Sequence, residues 1–129
     1  MSFERWSVPR SWKWVSAADV AVIIGRGTPS TKDDRNFAAT GIPWIGPADL
    51  TGYKSTYISR GRRDLSDKGL RDSGATIMPK GTVLFSSRAP IGYCAIAANP
   101  VSTNQGFKSW ICSPGLMPEF TRFYLLAST

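Results

Sequence analysis

The hydrophobic residues of this chain fall in short runs separated by glycine, proline and charged residues. Runs of about four to eight residues between turn formers are typical of β-strands. The first run, residues 20–24, is rich in β-branched side chains and ends at Gly25. It follows Ser16, which suits the N-cap of a helix of one or two turns. The same pattern predicts further strands at about 41–47, 55–59, 82–87, 91–97 and 106–112.

Two more helices are predicted, one in the middle of the chain and one at its end. Ser66 suits the N-cap of a short helix that Gly69 should weaken. Residues 118–127 form the second helix, with Pro118 in the first turn. Four of its side chains are predicted to share one apolar face: Phe120, Phe123, Tyr124 and Ala127.

Two polar segments stand out from this pattern, and the first of them carries no hydrophobic period. Residues 25–41 are predicted to form a long exposed loop, and loops of this length in compact domains are usually functional or mobile. Residues 53–73 hold the densest charge of the chain. These two segments are therefore the first places to look for a binding site.

The composition describes a folded domain with an excess of positive charge. The 129 residues are 42% hydrophobic and 12% aromatic, which suits one globular domain. Sixteen Lys and Arg residues stand against nine Asp and Glu residues, so the net charge is +7. Such an excess favours a polyanionic partner, most simply nucleic acid, although a solvated basic surface would give the same charge.

The residue inventory argues against an enzyme. The chain has no His, so it has no imidazole base and no Ser-His or Cys-His nucleophile. Two cysteines cannot form a cysteine-rich zinc site. The nearest approach to a metal site is the adjacent pair Asp33 and Asp34, which is predicted to be solvated. We therefore predict no catalytic residue and no metal ligand.

The cysteines and the hydropathy of the chain indicate the cellular compartment in which the protein is expected. Cys94 and Cys112 lie in apolar runs and are predicted to be buried free thiols, which suits a reducing compartment. No run approaches the roughly 20 apolar residues of a membrane span, and the N-terminus lacks a secretory signal pattern. We therefore expect a cytoplasmic protein with no membrane partner.

What remains is binding chemistry in the polar segments. Arginine and lysine neutralise phosphates, arginine can also contact guanine through two hydrogen bonds, and tyrosine offers a hydroxyl. The alternative is that these charges are simply solvated. The candidate DNA-binding residues are Lys32, Arg35 and Asn36 in the first segment, Tyr53, Lys54, Tyr57, Arg60, Arg62 and Arg63 in the second, and Arg88 at a strand end.

The amide-rich turn at residues 103–107 has two interpretations. Asn104 and Gln105 could read adenine, because each side chain presents a donor and an acceptor side by side. Because they are followed by Gly106 and lie between two predicted strands, a role in fixing the turn is favoured. We therefore treat Asn104, Gln105 and Gly106 as a structural motif.

Several short motifs follow one another along the chain. They are Pro-x-x-Trp at residues 9–12, Gly-Ile-Pro-Trp-Ile at 41–45, Pro-Lys-Gly-Thr-Val-Leu-Phe-Ser at 79–86, and Thr-Asn-Gln-Gly-Phe at 103–107. Taken together, their order and spacing resemble the target recognition domain of type I restriction-modification specificity subunits, also called DNA methylase specificity subunits.

The resemblance implies an α+β fold with a twisted, largely antiparallel β-sheet, a few short helices and long polar loops. It implies that residues 1–129 are one recognition domain, with the start of a spacer helix at about 118–129. Such a bacterial or archaeal domain reads one half of a bipartite target in double-stranded DNA and catalyses nothing. A partner modification subunit binds S-adenosylmethionine and methylates adenine, and a restriction subunit cleaves DNA, so no cofactor is expected on this chain.

Two other functions stay open at this point. The tryptophan-rich N-terminal region and the final helix could form a protein-interaction module that docks a methyltransferase subunit. The chain could also be the recognition fragment of a single-chain methyltransferase or nuclease.

Overall fold

The computed structural model describes residues 7–25, 27–87 and 92–128, and within them nine strands and three α-helices. The strands are β1 (Ala21–Ile24), β2 (Phe37–Ala38), β3 (Ile42–Ile45), β4 (Tyr57–Ile58), β5 (Arg63–Leu65), β6 (Val83–Phe85), β7 (Cys94–Ala97), β8 (Ser102–Thr103) and β9 (Ser109–Cys112). The helices are α1 (Ala17–Val20), α2 (Asp67–Ser73) and α3 (Pro118–Ala127). Two 3₁₀ helices cover Asp34–Asn36 and Pro47–Leu50.

The strands form two sheets, and the predicted α+β class is confirmed. The large sheet has the strand order β1-β9-β6-β7-β4, and the small sheet has the order β2-β5-β3-β8. Most pairings are antiparallel, as predicted, but β3 pairs with β8 and β4 pairs with β7 in parallel. The prediction of one sheet was incomplete, because the second sheet consists of strands of only two to four residues.

The central strands β6 and β7 of the large sheet are buried on both faces, and this explains their continuous apolar runs, whereas Val22 and Ile23 of the edge strand β1 are exposed. Successive side chains of a strand point to opposite faces. Leu84 and Ala95 accordingly join a core cluster with Ile45 of the small sheet, whereas Val83 and Ile96 pack with Leu125 of α3. The core therefore lies between the two sheets, and α3 covers the other face of the large sheet.

The helix at the end of the chain was predicted correctly, and its four predicted face residues do share one face, because all of them line a groove beside the N-terminal segment. The residues that α3 buries are Thr121 and Leu125, while Phe120 and Phe123 remain exposed. The hydroxyl of Thr121 donates to the carbonyl of Met117 at 3.1 Å, so its polar atom is satisfied inside the helix. Because α3 buries Thr121 and Leu125 and not Phe120 or Phe123, the two phenylalanine side chains remain on the surface.

The two cysteines are free, as predicted. Cys94 is buried, and burial raises the pKa of its thiol to about 12. Cys112 is only partly buried, and burial also raises the pKa of its thiol. Over the ranges that the structure describes, no helix is long and apolar enough to cross a membrane.

The segment at 25–41 is not the simple exposed loop that its composition predicted. It contains the first 3₁₀ helix and β2, and it packs against α2. The contact is close because Gly69 has no side chain, and a Cβ placed there would lie 2.0 Å from the Asn36 carbonyl oxygen. Ser66 caps α2 by accepting from the Gly69 amide at 3.0 Å, and its hydroxyl donates to the Arg35 carbonyl at 2.5 Å.

Replacing Gly69 by alanine should therefore destabilise the protein, although alanine normally favours a helix by about 1 kcal/mol. The added methyl group must displace the main chain at Asn36, and forced overpacking costs about 1–3 kcal/mol. Urea unfolding measures the change. Gly115→Ala is the matched control because nothing lies within 4 Å of the place that its added methyl group would take, and equal stabilities of the two variants would contradict the packing argument.

Candidate nucleic-acid interface

The path of the arginine-rich segment is fixed by Asp49. This residue lies in the second 3₁₀ helix, and its carboxylate accepts from the main-chain amide of Gly46 at 2.8 Å and from that of Arg62 at 3.2 Å. Gly61 passes so close that a Cβ there would lie 2.3 Å from the Asp49 carboxylate. A side chain from another element thus holds the main chain of residues 61–62 in place.

Asp64 anchors the same segment from inside the small sheet. Its buried carboxylate accepts from the main-chain amide of Gly41 at 3.0 Å, just before β3 begins. The same carboxylate oxygen lies 3.5 Å from the Arg60 guanidinium. Because a buried carboxylate must be paired, these two contacts explain why Asp64 can lie in the interior.

The three arginines of this segment surround one open groove, which we call the arginine groove. Its lining is Phe37, Ala38, Ala39, Arg60, Gly61, Arg62, Arg63 and Asp64, and its volume is about 320 Å³. The side chains of Arg60 and Arg62 remain 54% and 82% exposed although each lies near a carboxylate. The guanidinium of Arg63 lies 4.3 Å from the centre of the Phe37 ring. The groove therefore presents three cations to solvent.

The first polar segment reaches the same part of the molecule through β2. Arg35 lies two residues before β2, which pairs with β5, the strand that contains Arg63. Two nitrogens of the Arg35 guanidinium donate to the two Asp33 carboxylate oxygens at 3.0 Å each. These hydrogen bonds hold the pKa of Asp33 well below its usual range and raise the pKa of Arg35. Lys32 is exposed beside them.

Asn36 belongs to the interior, and its prediction as a DNA contact needs correction. It is only 5% exposed. Its amide nitrogen donates to the Ser30 carbonyl at 3.0 Å, and its amide oxygen accepts from the Lys68 ammonium at 3.1 Å. Because both ends of the amide are engaged, Asn36 holds the first polar segment against α2.

The β4 edge of the large sheet, away from the arginine groove, carries Tyr53, Lys54 and Tyr57. The Tyr53 hydroxyl donates to the Tyr57 carbonyl, and the Tyr57 hydroxyl donates to the Glu119 carboxylate at 2.5 Å. The second bond raises the pKa of Tyr57 and lowers the pKa of Glu119. Phosphate oxygens only accept hydrogen bonds, so either hydroxyl must give up its present partner to contact one.

Lys54 is exposed, and none of these three residues lines the arginine groove. Arg88 lies outside the described residues.

Asn104 closes its turn by accepting from the Gly106 amide at 2.8 Å, and the main chain of Gln105 donates to the Thr28 hydroxyl at 2.9 Å. The Gln105 side chain is exposed, so these contacts involve its main chain only.

A metal site is not formed by the residues described: they include no group of three His, Cys, Asp or Glu side chains that could hold an ion. Asp33, the nearest candidate in the sequence, is occupied by Arg35 and by Lys68 at 3.4 Å. The polar chemistry of this surface is therefore that of cations and hydrogen-bond donors.

The residues that position the arginines were not predicted from the sequence; they are Asp49, Asp64 and Phe37. One signal could have indicated Asp49, because it stands three residues after Gly46 at a helix start that contains Pro47. A carboxylate at that position commonly reaches back to the main chain at the N-cap. Phe37 and Asp64 gave no such signal, because their roles depend on strand pairing.

Comparisons with known proteins agree with this fold. Residues 9–129 match the family model described as type I restriction modification DNA specificity domain. The chain belongs to this family.

Among curated relatives, the type I restriction enzyme MjaIX specificity subunit of Methanocaldococcus jannaschii is 42% identical over 122 residues. These residues are 95% of this chain and 28% of that relative, so the chain spans less than a third of its length.

Two solved structures share the fold. The HsdS subunit from Thermoanaerobacter tengcongensis aligns with a TM-score of 0.72 at 21% identity, over 96% of this chain and 29% of that one. A chain from a study of complex assembly and conformational transition of the type I R-M system aligns with a TM-score of 0.73 at 23% identity, over the same shares.

The corrected role of Asn36 gives a test. Asn36→Ala should lower the free energy of unfolding by about 1–3 kcal/mol, because it leaves the Ser30 carbonyl without its donor and removes one acceptor of the Lys68 ammonium. Urea unfolding measures the loss, with the exposed neighbour Thr31→Ala as control. At a temperature where the variant stays folded, its affinity for DNA should equal that of the parent; a selective loss of affinity would restore Asn36 as a contact.

Proposed function

We propose that this domain binds double-stranded DNA and reads one half of a bipartite target for a type I restriction-modification complex. The observation that carries the proposal is the arginine groove, in which three arginines lie together on a main chain fixed by Asp49. Family membership supports it, because the family model is one of DNA specificity domains.

The physical basis is electrostatic attraction combined with defined geometry. A net charge of +7 attracts a polyanion at long range, and exposed arginines neutralise phosphates at contact. Phosphate contacts alone carry no sequence information, whereas arginines held in place can also reach base edges. Lys32 and Arg35 precede β2, whose two residues line the groove, and they are proposed as further contacts. Tyr53, Lys54 and Tyr57 form a second, separate set of proposed contacts.

We further propose that the domain itself catalyses nothing and binds no S-adenosylmethionine. The chain has no His, and the raised pKa of Cys94 keeps that thiol protonated and unreactive near neutral pH. A modification subunit would then bind the cofactor and methylate the DNA, and a restriction subunit would cleave it, all in the cytoplasm. The matched relative is named a specificity subunit, which supports this division of roles.

Removing the three groove arginines together (Arg60→Ala, Arg62→Ala and Arg63→Ala) should weaken DNA binding and its salt dependence. Each lost phosphate contact reduces the slope of log affinity against log salt by about 1. Fluorescence anisotropy with short duplexes at several salt concentrations measures both quantities.

The matched control removes three exposed cations elsewhere, with Arg10→Ala, Lys13→Ala and Lys80→Ala. It lowers the net charge equally but leaves the groove intact. The control should lose much less affinity than the groove variant. Equal losses would mean that total charge rather than this groove drives binding, and no loss from the groove variant would remove the groove from the interface.

A second candidate function rests on the aromatic surface of α3. Phe120 and Phe123 are exposed, and Trp12 packs edge-on against Phe120 with 6.1 Å between ring centres. An apolar groove of about 460 Å³ runs between α3 and the N-terminal segment. We propose as the alternative that this surface docks a methyltransferase subunit.

The double variant Phe120→Ser and Phe123→Ser distinguishes the two candidates. If the alternative holds, it should abolish a salt-insensitive complex with the modification subunit, measured by size-exclusion chromatography, while DNA affinity stays unchanged. Retention of that complex by the double variant would exclude the aromatic surface as the docking site.

A further inference from the structure

We infer that Arg63 reads a guanine base in the DNA target, whereas Arg60 and Arg62 contact the phosphate backbone. This inference rests on the proposed function and assigns separate roles to the three arginines of the groove. It follows from the different partners that each guanidinium has within the protein.

Arg63 is the arginine that is held in place without using its hydrogen-bond donors. It belongs to β5, which lies between β2 and β3 in the small sheet, and it pairs across the sheet with Trp44. Its guanidinium lies 4.3 Å from the centre of the Phe37 ring, and the Phe37 ring packs against Trp44 with 5.5 Å between centres. In the described part of the chain, no carboxylate forms an ion pair with Arg63.

This geometry suits recognition of a base edge. A guanidinium that lies over an aromatic ring is held by its charge against the ring face, so its N–H groups need no protein acceptor and stay available to donate. Guanine presents two acceptors in the major groove, O6 and N7, at the spacing of that planar fork. An arginine on a strand that is already stacked also loses little conformational freedom on binding, which favours a specific contact.

The other arginines are less suited to this role. Arg60 lies 3.5 Å from Asp64, and Arg62 lies 3.9 Å from Asp49 and is 82% exposed. Arg35 uses two of its donors on Asp33. An exposed cation near a carboxylate can turn toward a phosphate, but nothing stacks on Arg60 or Arg62 among the described residues to fix the plane of the guanidinium.

Arg63→Lys tests the inference, because it keeps the charge and removes the planar fork. Duplexes are selected from a random pool by the parent chain, and affinities for the selected sequence and its single-base variants are then measured by anisotropy. The parent should prefer guanine at one position by about tenfold or more. Arg63→Lys should lose most of that preference while its salt slope stays the same, and Arg10→Lys, a matched control at an exposed arginine outside the groove, should keep both.

Phe37→Leu provides a second variant that leaves Arg63 in the sequence. It removes the ring beneath the guanidinium, so the guanine preference should fall although every charge is kept. Thermal unfolding is measured for each variant, so that loss of folding is separated from loss of discrimination.

Several outcomes would overturn the inference. They are a selected site without guanine, an unchanged preference in Arg63→Lys, or an equal loss of affinity for all sequences, which is the behaviour of a phosphate contact. Failure of the parent chain to bind any duplex at low salt would instead overturn the proposed function, so the two failures are distinguishable.

Discussion

The arrangement of this molecule depends on one carboxylate, that of Asp49, which joins two elements distant in sequence. It accepts from Gly46 at the start of its own 3₁₀ helix and from Arg62 in the segment before β5. A main-chain amide bonded to a charged group contributes more than an ordinary hydrogen bond, about 1.5–3 kcal/mol. The arginines are therefore carried on a defined path, and the cationic surface has a fixed shape before any ligand arrives.

The two sheets have different tasks. The large sheet is buried between α3 and the small sheet and supplies most of the hydrophobic core. The small sheet has short strands and bears charged side chains at its surface, including Arg63 in its interior strand β5. The hydrophobic core and the exposed charges thus lie in different layers, so that the charged side chains do not interrupt the core.

The sequence predicted the parts of the fold that carry a local signal. The strands at 83–85, 94–97 and 109–112 and the helix α3 were found because apolar runs are bounded by Pro and Gly. The strands β2, β5 and β8 were missed, because two or three residues show no period and pair only through distant partners. The burial of Asn36 was not foreseen, because the region is packed against Gly69, 33 positions away, where the absence of a side chain admits the main chain of Asn36. The clustering of Arg60, Arg62 and Arg63 was foreseeable from their adjacency, but their carboxylate and aromatic partners were not.

Because Asp49 holds the main chain at Gly61 and Arg62, the path of the main chain at this surface does not depend on the side chains that the surface carries. The carboxylates of Asp49 and Asp64 hold the main chain there from the inside, while the side chains at positions 60, 62 and 63 are exposed. The side chains at these exposed positions can therefore be replaced without a change in the main-chain path. Under the proposed function, a few substitutions at the rim would then change the DNA sequence that is read, with the interior left untouched.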